Sequence, residues 1–311
     1  MEMKSKSVSA VVVTHNRRGP LKHVLESLVA QSHPVDRIYV VDNASTDGTA
    51  EFLSSLNNPG ISSKRLLTNT GGAGGFSYGM KWAYEEGHEL IWLMDDDGVP
   101  ENDALERLVT AAISSPVTRV LNSTVVAEDD PTVLAFGTWV TDDRGVPQTL
   151  IRDVETLGSY ADTNGEFLGW GCFFNGTLIP RTVIQSVGLP DVRLFIRGDE
   201  IDYYFRVRRA VTIATVLASR HRHPKPDGAV SGVKLYYSYR NALINYQKYY
   251  CLRNVDRWIV QGKTALKLGL SLAKIALRTK DTDLRLRALA QADALLGRLS
   301  RDPAAVMRIC R

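Results

Sequence analysis

Four apolar runs, SVSAVVVTH, RIYVVDN, KRLLTN and LIWLMDDD, alternate along the first third of the chain with segments whose apolar residues recur at helical spacing. The runs are nearly continuous and rich in β-branched residues, the pattern of strands buried on both faces. Between them, PLKHVLESLVAQ sets Leu21, Val24, Leu25, Leu28 and Val29 at helical spacing, with Pro20 suited to a first turn. ASTDGTAEFLSSL opens on polar residues able to cap a helix, and GFSYGMKWAYEEG and PENDALERLVTAAI predict two more. This alternation predicts an α/β domain with a parallel sheet and right-handed crossovers. Ligands of such sheets gather beyond the carboxyl ends of the strands. The polar residues that follow the runs are Thr14, His15 and Asn16; Asp42, Asn43 and Ser45; Asn69 through Gly75; and Asp95, Asp96 and Asp97. They are expected to meet on one rim.

Further along, RVLNSTVVAE, TVLAFGTWV and TIATVLAS surround the glycine- and aromatic-rich FLGWGCFFNGTLIPR. They predict a continuation of the sheet with a more open, partly antiparallel layer. Beyond YYSYRNALINYQKYY the pattern is helical. The expected organisation is a first α/β half over residues 1–116, a second half of the same domain over 117–252, and a helical region over 253–311.

With 44% hydrophobic and 23% charged residues in 311, the chain reads as globular, large enough for one substantial core and an appendage or for two modest domains. Its N-terminus reaches the first strand without the apolar stretch and cleavage site of a secretory leader, and no window offers the ~18 uninterrupted apolar residues of a spanning helix. Cys172, Cys251 and Cys310 are odd in number and lack CxxC spacing, so they read as reduced thiols of a cytoplasmic protein. The net charge of +4 hides an asymmetry, because from Arg253 onward 13 Lys/Arg stand against 5 Asp/Glu. In GKTALKLGLSLAKIALRTK, Leu266, Leu270, Ala273 and Leu277 share a helical face, with Lys267, Lys274 and Arg278 beside it. Such a helix either packs on the protein or lies on an anionic leaflet. Basic residues interleaved with aliphatics, without an aromatic stacking platform, argue against a nucleic-acid partner.

The candidate chemistry begins with Asp95, Asp96 and Asp97. Crowded carboxylates suit a hard divalent cation, whose charge offsets their repulsion; the alternative is an acidic turn capping the next helix. In NTGGAGGFSYG, Gly71, Gly72, Gly74 and Gly75 remove side chains where backbone must approach a ligand, and the following helix offers N–H groups to anionic oxygens. A flexible turn is the plainer reading. The spacing is not the GxGxxG of a nicotinamide site. Asp42 either contacts a base or ribose or caps a helix. Asp199, Glu200 and Asp202 open a predicted helix, either as partners of its dipole or with a general base among them, and Arg197 stands nearby to steady a phosphate or the carboxylates. His221 and His223 end a strand, either as surface histidines near a turn or as ligands, in which case imidazole beside carboxylates favours manganese over magnesium.

VVVTHNR, VVDNASTDGT, NTGGAGGF, WLMDDDG, FNGTLIPR, GLPDVRLFIRGDEIDYYFR, HP and YYSYRN occur in this order. Together they resemble the family 2 glycosyltransferases, notably the bacterial galactofuranosyltransferase and rhamnosyltransferase branch, over roughly residues 8–255. The resemblance implies a GT-A fold and an inverting transfer from a nucleotide-diphosphate sugar, UDP-galactofuranose or dTDP-rhamnose, to a polyprenyl-diphosphate-linked glycan acceptor. It implies Mn²⁺ or Mg²⁺ as cofactor and makes a peripheral place on the inner face of the plasma membrane reasonable. Residues 1–116 would then hold the nucleotide sugar, and 117–252 the acceptor and the catalytic groups. Thr14, His15, Asn16 and Arg17 would line the nucleotide, Asp42 its base or ribose, and Asn69, Gly72, Gly74 and Gly75 the donor. Asp95 and Asp97 match the DxD element, the first facing the ribose and the last the metal, with Asp96 toward the donor sugar. Asp95, Asp97 and His223 would be the metal ligands; His223 precedes Pro224 and fits better than His221. The base lies in the acidic pair Asp199 and Glu200, with Glu200 favoured by register although relatives often carry Asp there. Trp170 and Gly171 would border the acceptor. A catalytically inactive nucleotide-sugar-binding scaffold stays open as an alternative; a nucleotidyltransferase is disfavoured, because no lysine-bearing phosphate motif stands near the N-terminus.

Overall fold

A computed structural model describes residues 6–226, 230–251, 254–276 and 281–310. Strands β1 (Val8–Thr14), β2 (Arg37–Asp42), β3 (Ile61–Arg65) and β4 (Leu90–Asp95) pair in parallel in the order β3-β2-β1-β4. Helices α1 (Arg18–Val29), α2 (Thr49–Ser55) and α3 (Gly71–Glu85) make the crossovers. The short strand β5 (Val99–Pro100) and helix α4 (Ala104–Ser114) follow. Every residue of β1 is buried, because Val8, Ala10 and Val12 join one core with Leu21, Leu25 and Leu28 of α1, while Val11 and Val13 lie under the glycines of α3. Each large aliphatic side chain so buried contributes roughly 1.5–3 kcal/mol.

The second half adds β6 (Arg119–Ala127), the β7 (Val133–Thr141) and β8 (Pro147–Asp153) hairpin, α5 (Val154–Ser159), β9 (Glu166–Leu168), β10 (Asn175–Pro180), α6 (Arg181–Val187), α7 (Asp199–Arg208) and β11 (Thr212–His223). The sheet runs on as β4-β10-β6-β11-β5, with β10 antiparallel to both of its neighbours and β11 parallel to β6. The open, partly antiparallel layer expected from the sequence is therefore present. β11 also carries its last residue, His223, back toward the rim where β1 and β4 end.

Two local expectations are corrected. The third strand is ISSKR, not KRLLTN: β3 is an edge strand with one neighbour, so it tolerates polar, largely exposed residues, and Leu67 lies beyond it in solvent. Helix α3 begins at Gly71, so the glycine run forms its first turns and is not a flexible loop before it. The reason is close approach to the sheet. A Cβ on Gly75 would stand 2.4 Å from Val13 Cγ1, and one on Gly79 would stand 2.4 Å from Val11 Cγ1.

By compactness the chain divides into two units, Met1–Pro190 with Tyr203–Pro226, and Asp191–Asp202 with Asp227–Arg311. The second unit contains α8 (Gly232–Asn245), a π-helical turn (Tyr246–Tyr250), α9 (Asn254–Ala276), α10 (Thr282–Leu295) and α11 (Pro303–Ile309). Phe195, Leu235, Tyr236, Tyr237, Leu286, Ala290 and Val306 form its core. Among the described residues no helix is long and apolar enough to cross a membrane. Of the apolar face proposed for α9, Leu277 and Arg278 and the side chain of Ala273 lie outside the described residues.

Candidate active site

The polar residues after the strands do meet. Thr14 and Asp42 are register partners at the ends of β1 and β2. Past them, Asn16 turns through a left-handed conformation (φ 55°), with its N–H donating to Ser45 Oγ at 2.9 Å and its Oδ1 accepting from Thr46 N at 2.6 Å. His15 N donates to Asp96 Oδ2 at 3.3 Å, and His15 Nδ1 donates to Asn43 O at 2.9 Å. Asn43 in turn braces the glycine segment, donating to Gly71 O at 2.8 Å and accepting from Thr70 N at 2.8 Å. Asn69 Oδ1 accepts from Gly71 N at 2.8 Å, which fixes the entry into α3, where Gly72, Gly74 and Gly75 lie. Asp42 is fully buried; Ser45 N donates to its Oδ1 at 2.8 Å, and Arg65 Nε approaches its Oδ2 at 3.6 Å. Arg65 was not anticipated; its only signal is a cation at the end of β3, in register with Asp42.

Ligand atoms of Asp95, Asp97 and His223 all lie within 4.8 Å of one another. β4 delivers Asp95, the turn after it Asp97, and β11 the histidine. His223 Nδ1 donates to Pro224 O at 2.6 Å, so Nε2 faces Asp97 Oδ1 at 3.2 Å. Arg17 pairs with Asp97 and stands 3.9 Å from Asp96. The field is strongly acidic. Burial, then the charges of Asp97 and Asp96, push Asp95 up to about 7. Burial likewise pushes Asp96 up to about 6, against the pull of Thr14 and Arg17. Burial also opposes ionisation of Asp97, but His223 and Arg17 outweigh it and hold Asp97 down at about 2. His223 is raised, because its bond to and attraction by Asp97 outweigh its burial. Two carboxylates and an imidazole at this spacing, with surplus negative charge, fit a divalent cation of the Mn²⁺ or Mg²⁺ kind. His221 does not join them. It is buried with neither ring nitrogen hydrogen-bonded, its ring packs so close to Gly98 that a Cβ there would stand 2.3 Å from Nε2, and burial drives it down to about 3, which leaves it neutral.

Trp170 and Gly171 sit deeper than an open binding surface. Trp170 is buried with its ring 4.4 Å from that of Tyr204, and its carbonyl accepts from Thr215 Oγ1 at 2.9 Å. A Cβ on Gly171 would stand 2.0 Å from Asn122 Nδ2. In the second unit the acidic residues at the start of α7 take different places. Asp199 is buried, and Glu200 is half-buried with Gly198 N donating to its Oε2 at 2.8 Å. Asp202 is buried and accepts from Lys248 Nζ and Tyr249 Oη, each at 2.6 Å. The lysine and tyrosine of QKYY had not been connected with it.

The pattern described as Glycosyl transferase family 2 matches residues 9–172. The chain belongs to glycosyltransferase family 2. This family 2 glycosyltransferase is 37% identical over 223 residues to the galactofuranosyltransferase GlfT1 of Mycolicibacterium smegmatis, covering 70% of each chain. It is 33% identical over 224 residues to GlfT1 of Mycobacterium tuberculosis, covering 71% of each. Over 106 residues it is 29% identical to an undecaprenyl-phosphate mannosyltransferase of Micrococcus luteus, covering 33% of this chain and 43% of that one. Among solved structures it resembles GalNAc-T7 with UDP, GalNAc and Mn²⁺ (TM-score 0.60, 16% identity), covering 80% of this chain and about half, 51%, of that longer one. It also resembles S. aureus TarS 1-349 in complex with UDP (TM-score 0.53, 15% identity), covering 97% of this chain and 90% of that one. The fold is GT-A, a central sheet flanked by helices with helices at the C-terminal end.

Proposed function

We propose that this glycosyltransferase uses a nucleotide-diphosphate sugar, UDP-galactofuranose foremost, to extend a lipid-linked cell-envelope glycan with inversion at the anomeric carbon. The observation that carries the reading is the cluster of Asp95, Asp97 and His223 on the same strand-end rim as Asp42. The identity to two galactofuranosyltransferases supports the donor, and the relative named for undecaprenyl phosphate supports the lipid. dTDP-rhamnose is the competing donor, since a carboxylate at Asp42 serves uracil and thymine alike. Residues 1–116 would carry the donor, 117–252 the acceptor and catalytic groups, and 253–311 a basic helical region.

In this reading Asp42 accepts a hydrogen bond from the base or ribose, and the loop from Thr14 to Arg17 lines the nucleotide. Asp96 faces the donor sugar, and Asn69 with Gly72, Gly74 and Gly75 brings the first turn of α3 close enough for backbone N–H groups to meet anionic oxygens. Asp95, Asp97 and His223 would hold a divalent cation, which supplies Lewis-acid neutralisation of the departing diphosphate. Arg17, beside Asp97, adds a second positive charge on that side. Glu200, or Asp199 in its place, takes the proton from the acceptor hydroxyl as its oxygen attacks; Trp170 and Gly171 border the acceptor. One displacement, with attack opposite the leaving oxygen, inverts the anomeric centre.

The test is calorimetric titration with UDP and with dTDP, each with and without Mn²⁺, followed by transfer from UDP-galactofuranose to a polyprenyl-diphosphate glycan. Mn²⁺-dependent UDP binding that Asp97→Ala abolishes, followed by transfer, is the expected result. Nucleotide binding with no transfer, unchanged by Glu200→Gln, would favour the scaffold.

A further inference from the structure

The backbone that leads into the acidic pair is held in an uncommon shape. Phe195, Arg197 and Gly198 all have positive φ, at 66°, 62° and 89°. Side chains rarely adopt this region unless the surroundings over-determine it. Helix α8 supplies those surroundings. Asn241 Nδ2 donates to the carbonyls of Leu194 at 2.9 Å, Ile196 at 3.1 Å and Arg197 at 2.5 Å. Asn245 Nδ2 donates to Gly198 O at 2.7 Å. Arg240 Nη2 donates to Arg193 O at 2.9 Å and Leu194 O at 3.2 Å, and its Nε donates to Asn241 Oδ1 at 2.9 Å, which orients the amide.

All three side chains are buried, Arg240 completely. The guanidinium also donates to Leu299 O at 3.0 Å and lies over the rings of Tyr237 and Tyr236, 4.7 and 5.5 Å from their centroids, so its partners among the described residues are carbonyls, an amide and two aromatic faces. A buried cation held on aromatic faces and carbonyl oxygens ties down the backbone that supplies those carbonyls, here Arg193 and Leu194. Gly198 belongs to the same device: a Cβ would stand 2.9 Å from Asn241 Cβ, and its N–H is the group bound by Glu200.

We propose that Asn241, assisted by Arg240 and Asn245, is a positioning residue for the acidic pair. By holding the carbonyls of Leu194, Ile196 and Arg197, while Asn245 holds that of Gly198, it presents Asp199 and Glu200 in one orientation; it acts through the backbone and touches no substrate. The proposal rests on the reading that the general base lies in that pair. A displacement of about 1 Å at a catalytic group can cost about 100-fold in rate without weakening ground-state binding.

The experiment uses the full chain and compares Asn241→Ala, Asn245→Ala, Glu200→Gln, Asp199→Asn, and Asn241→Ala combined with whichever acid variant loses activity. Transfer kinetics and nucleotide affinity with Mn²⁺ are read for each. Asn241→Ala is expected to lower kcat by about 10- to 100-fold while donor KM and nucleotide affinity stay within about twofold. In the double variant it should add less than about threefold, because a residue acting through the base has nothing left to position. A parental kcat, a loss that multiplies in the double variant, or a parallel loss of nucleotide affinity overturns the proposal. If both acid variants keep parental kcat, the base reading fails and the positioning role falls with it; if an acid variant loses kcat and Asn241→Ala does not, only the positioning role fails. Should Asn241→Ala not fold, the same cycle with Asn245→Ala, which removes one bond, decides by the same non-additivity.

Discussion

His223 Nε2 stands 3.2 Å from Asp97 Oδ1, joining the end of β11 to the turn that follows β4. The bond from its Nδ1 to Pro224 O fixes which nitrogen faces the carboxylates. Replacing His223 by alanine removes one of the three proposed metal donors and leaves Asp95 and Asp97 without it. His223→Ala should therefore weaken Mn²⁺-dependent nucleotide binding by at least the ~10–100-fold that loss of even an outer-shell metal partner costs. Binding without metal should change little. Titration of the variant and parent side by side, with and without Mn²⁺, checks both halves.

Two helical glycines, Gly75 of α3 and Gly262 of α9, give predictions of opposite sign for one substitution. Gly75→Ala places a methyl 2.4 Å from Val13 Cγ1, a side chain of a fully buried strand that has nowhere to move. Overpacking of this kind should destabilise by about 1–3 kcal/mol. Gly262→Ala, within α9, meets nothing within 4 Å. Removing a helix-interior glycine should there stabilise by about 0.5–1 kcal/mol. Denaturant midpoints for the two variants measure both.

Acid should loosen the second unit through Asp293. This carboxylate is fully buried, accepts from Tyr236 Oη at 2.7 Å and from Arg301 Nη2 at 2.7 Å, and its pKa is lowered because those partners outweigh the burial that pushes it up. Its folded value lies below its unfolded one, so the stabilisation is complete above the ordinary carboxylate range and disappears as pH falls through the depressed folded value. Asp293→Asn should flatten that dependence, whereas Arg301→Met, which leaves the buried acid without its cation, should cost on the order of 3 kcal/mol near neutral pH. Unfolding midpoints measured from neutral to acidic pH separate the three proteins.

How much of this could be read beforehand depended on whether a signal was local. The buried strands were legible because apolar runs such as VVVT and LIWLM can only be core, and a parallel sheet then forces Thr14, Asp42 and Asp95 to one rim. His223 was legible from the motif before Pro224, while spacing alone could not separate it from His221, because both end the same strand and only the three-dimensional neighbours differ. The glycine segment misled: several glycines in a row signal freedom, but here they allow a helix to lie against Val11 and Val13, a demand that only the partner strand reveals. Likewise YYSYRN was recognised as a motif without a role, since the Leu194 carbonyl that Arg240 and Asn241 share lies more than forty residues earlier in the chain.

The last prediction concerns α9. Its buried side carries Thr264, and it packs on α10. On its other side Val255, Trp258, Ile259, Leu266 and Leu270 are open to solvent, Trp258 at 73% and Leu266 at 67% of full exposure. A helix that only closed a protein core would turn charged residues outward. Here Lys263, Lys267 and Lys274 run beside the exposed stripe, which is the layout of a helix lying in a lipid interface, apolar face down and cations at the headgroups. At roughly 1 kcal/mol per basic residue near an anionic surface, the three lysines make binding depend on lipid charge, and burial of the aliphatic stripe adds a term that does not. The chain should therefore co-sediment with vesicles containing phosphatidylglycerol and much less with phosphatidylcholine alone. Leu266→Glu with Leu270→Glu should abolish the binding at any salt, whereas Lys263→Gln with Lys267→Gln should weaken it most at low salt, where charge is least screened. Equal binding to neutral and anionic vesicles would remove the role of the lysines. No binding to either, together with a concentration-dependent dimer that Leu266→Glu dissolves, would assign the stripe to a second copy of the chain.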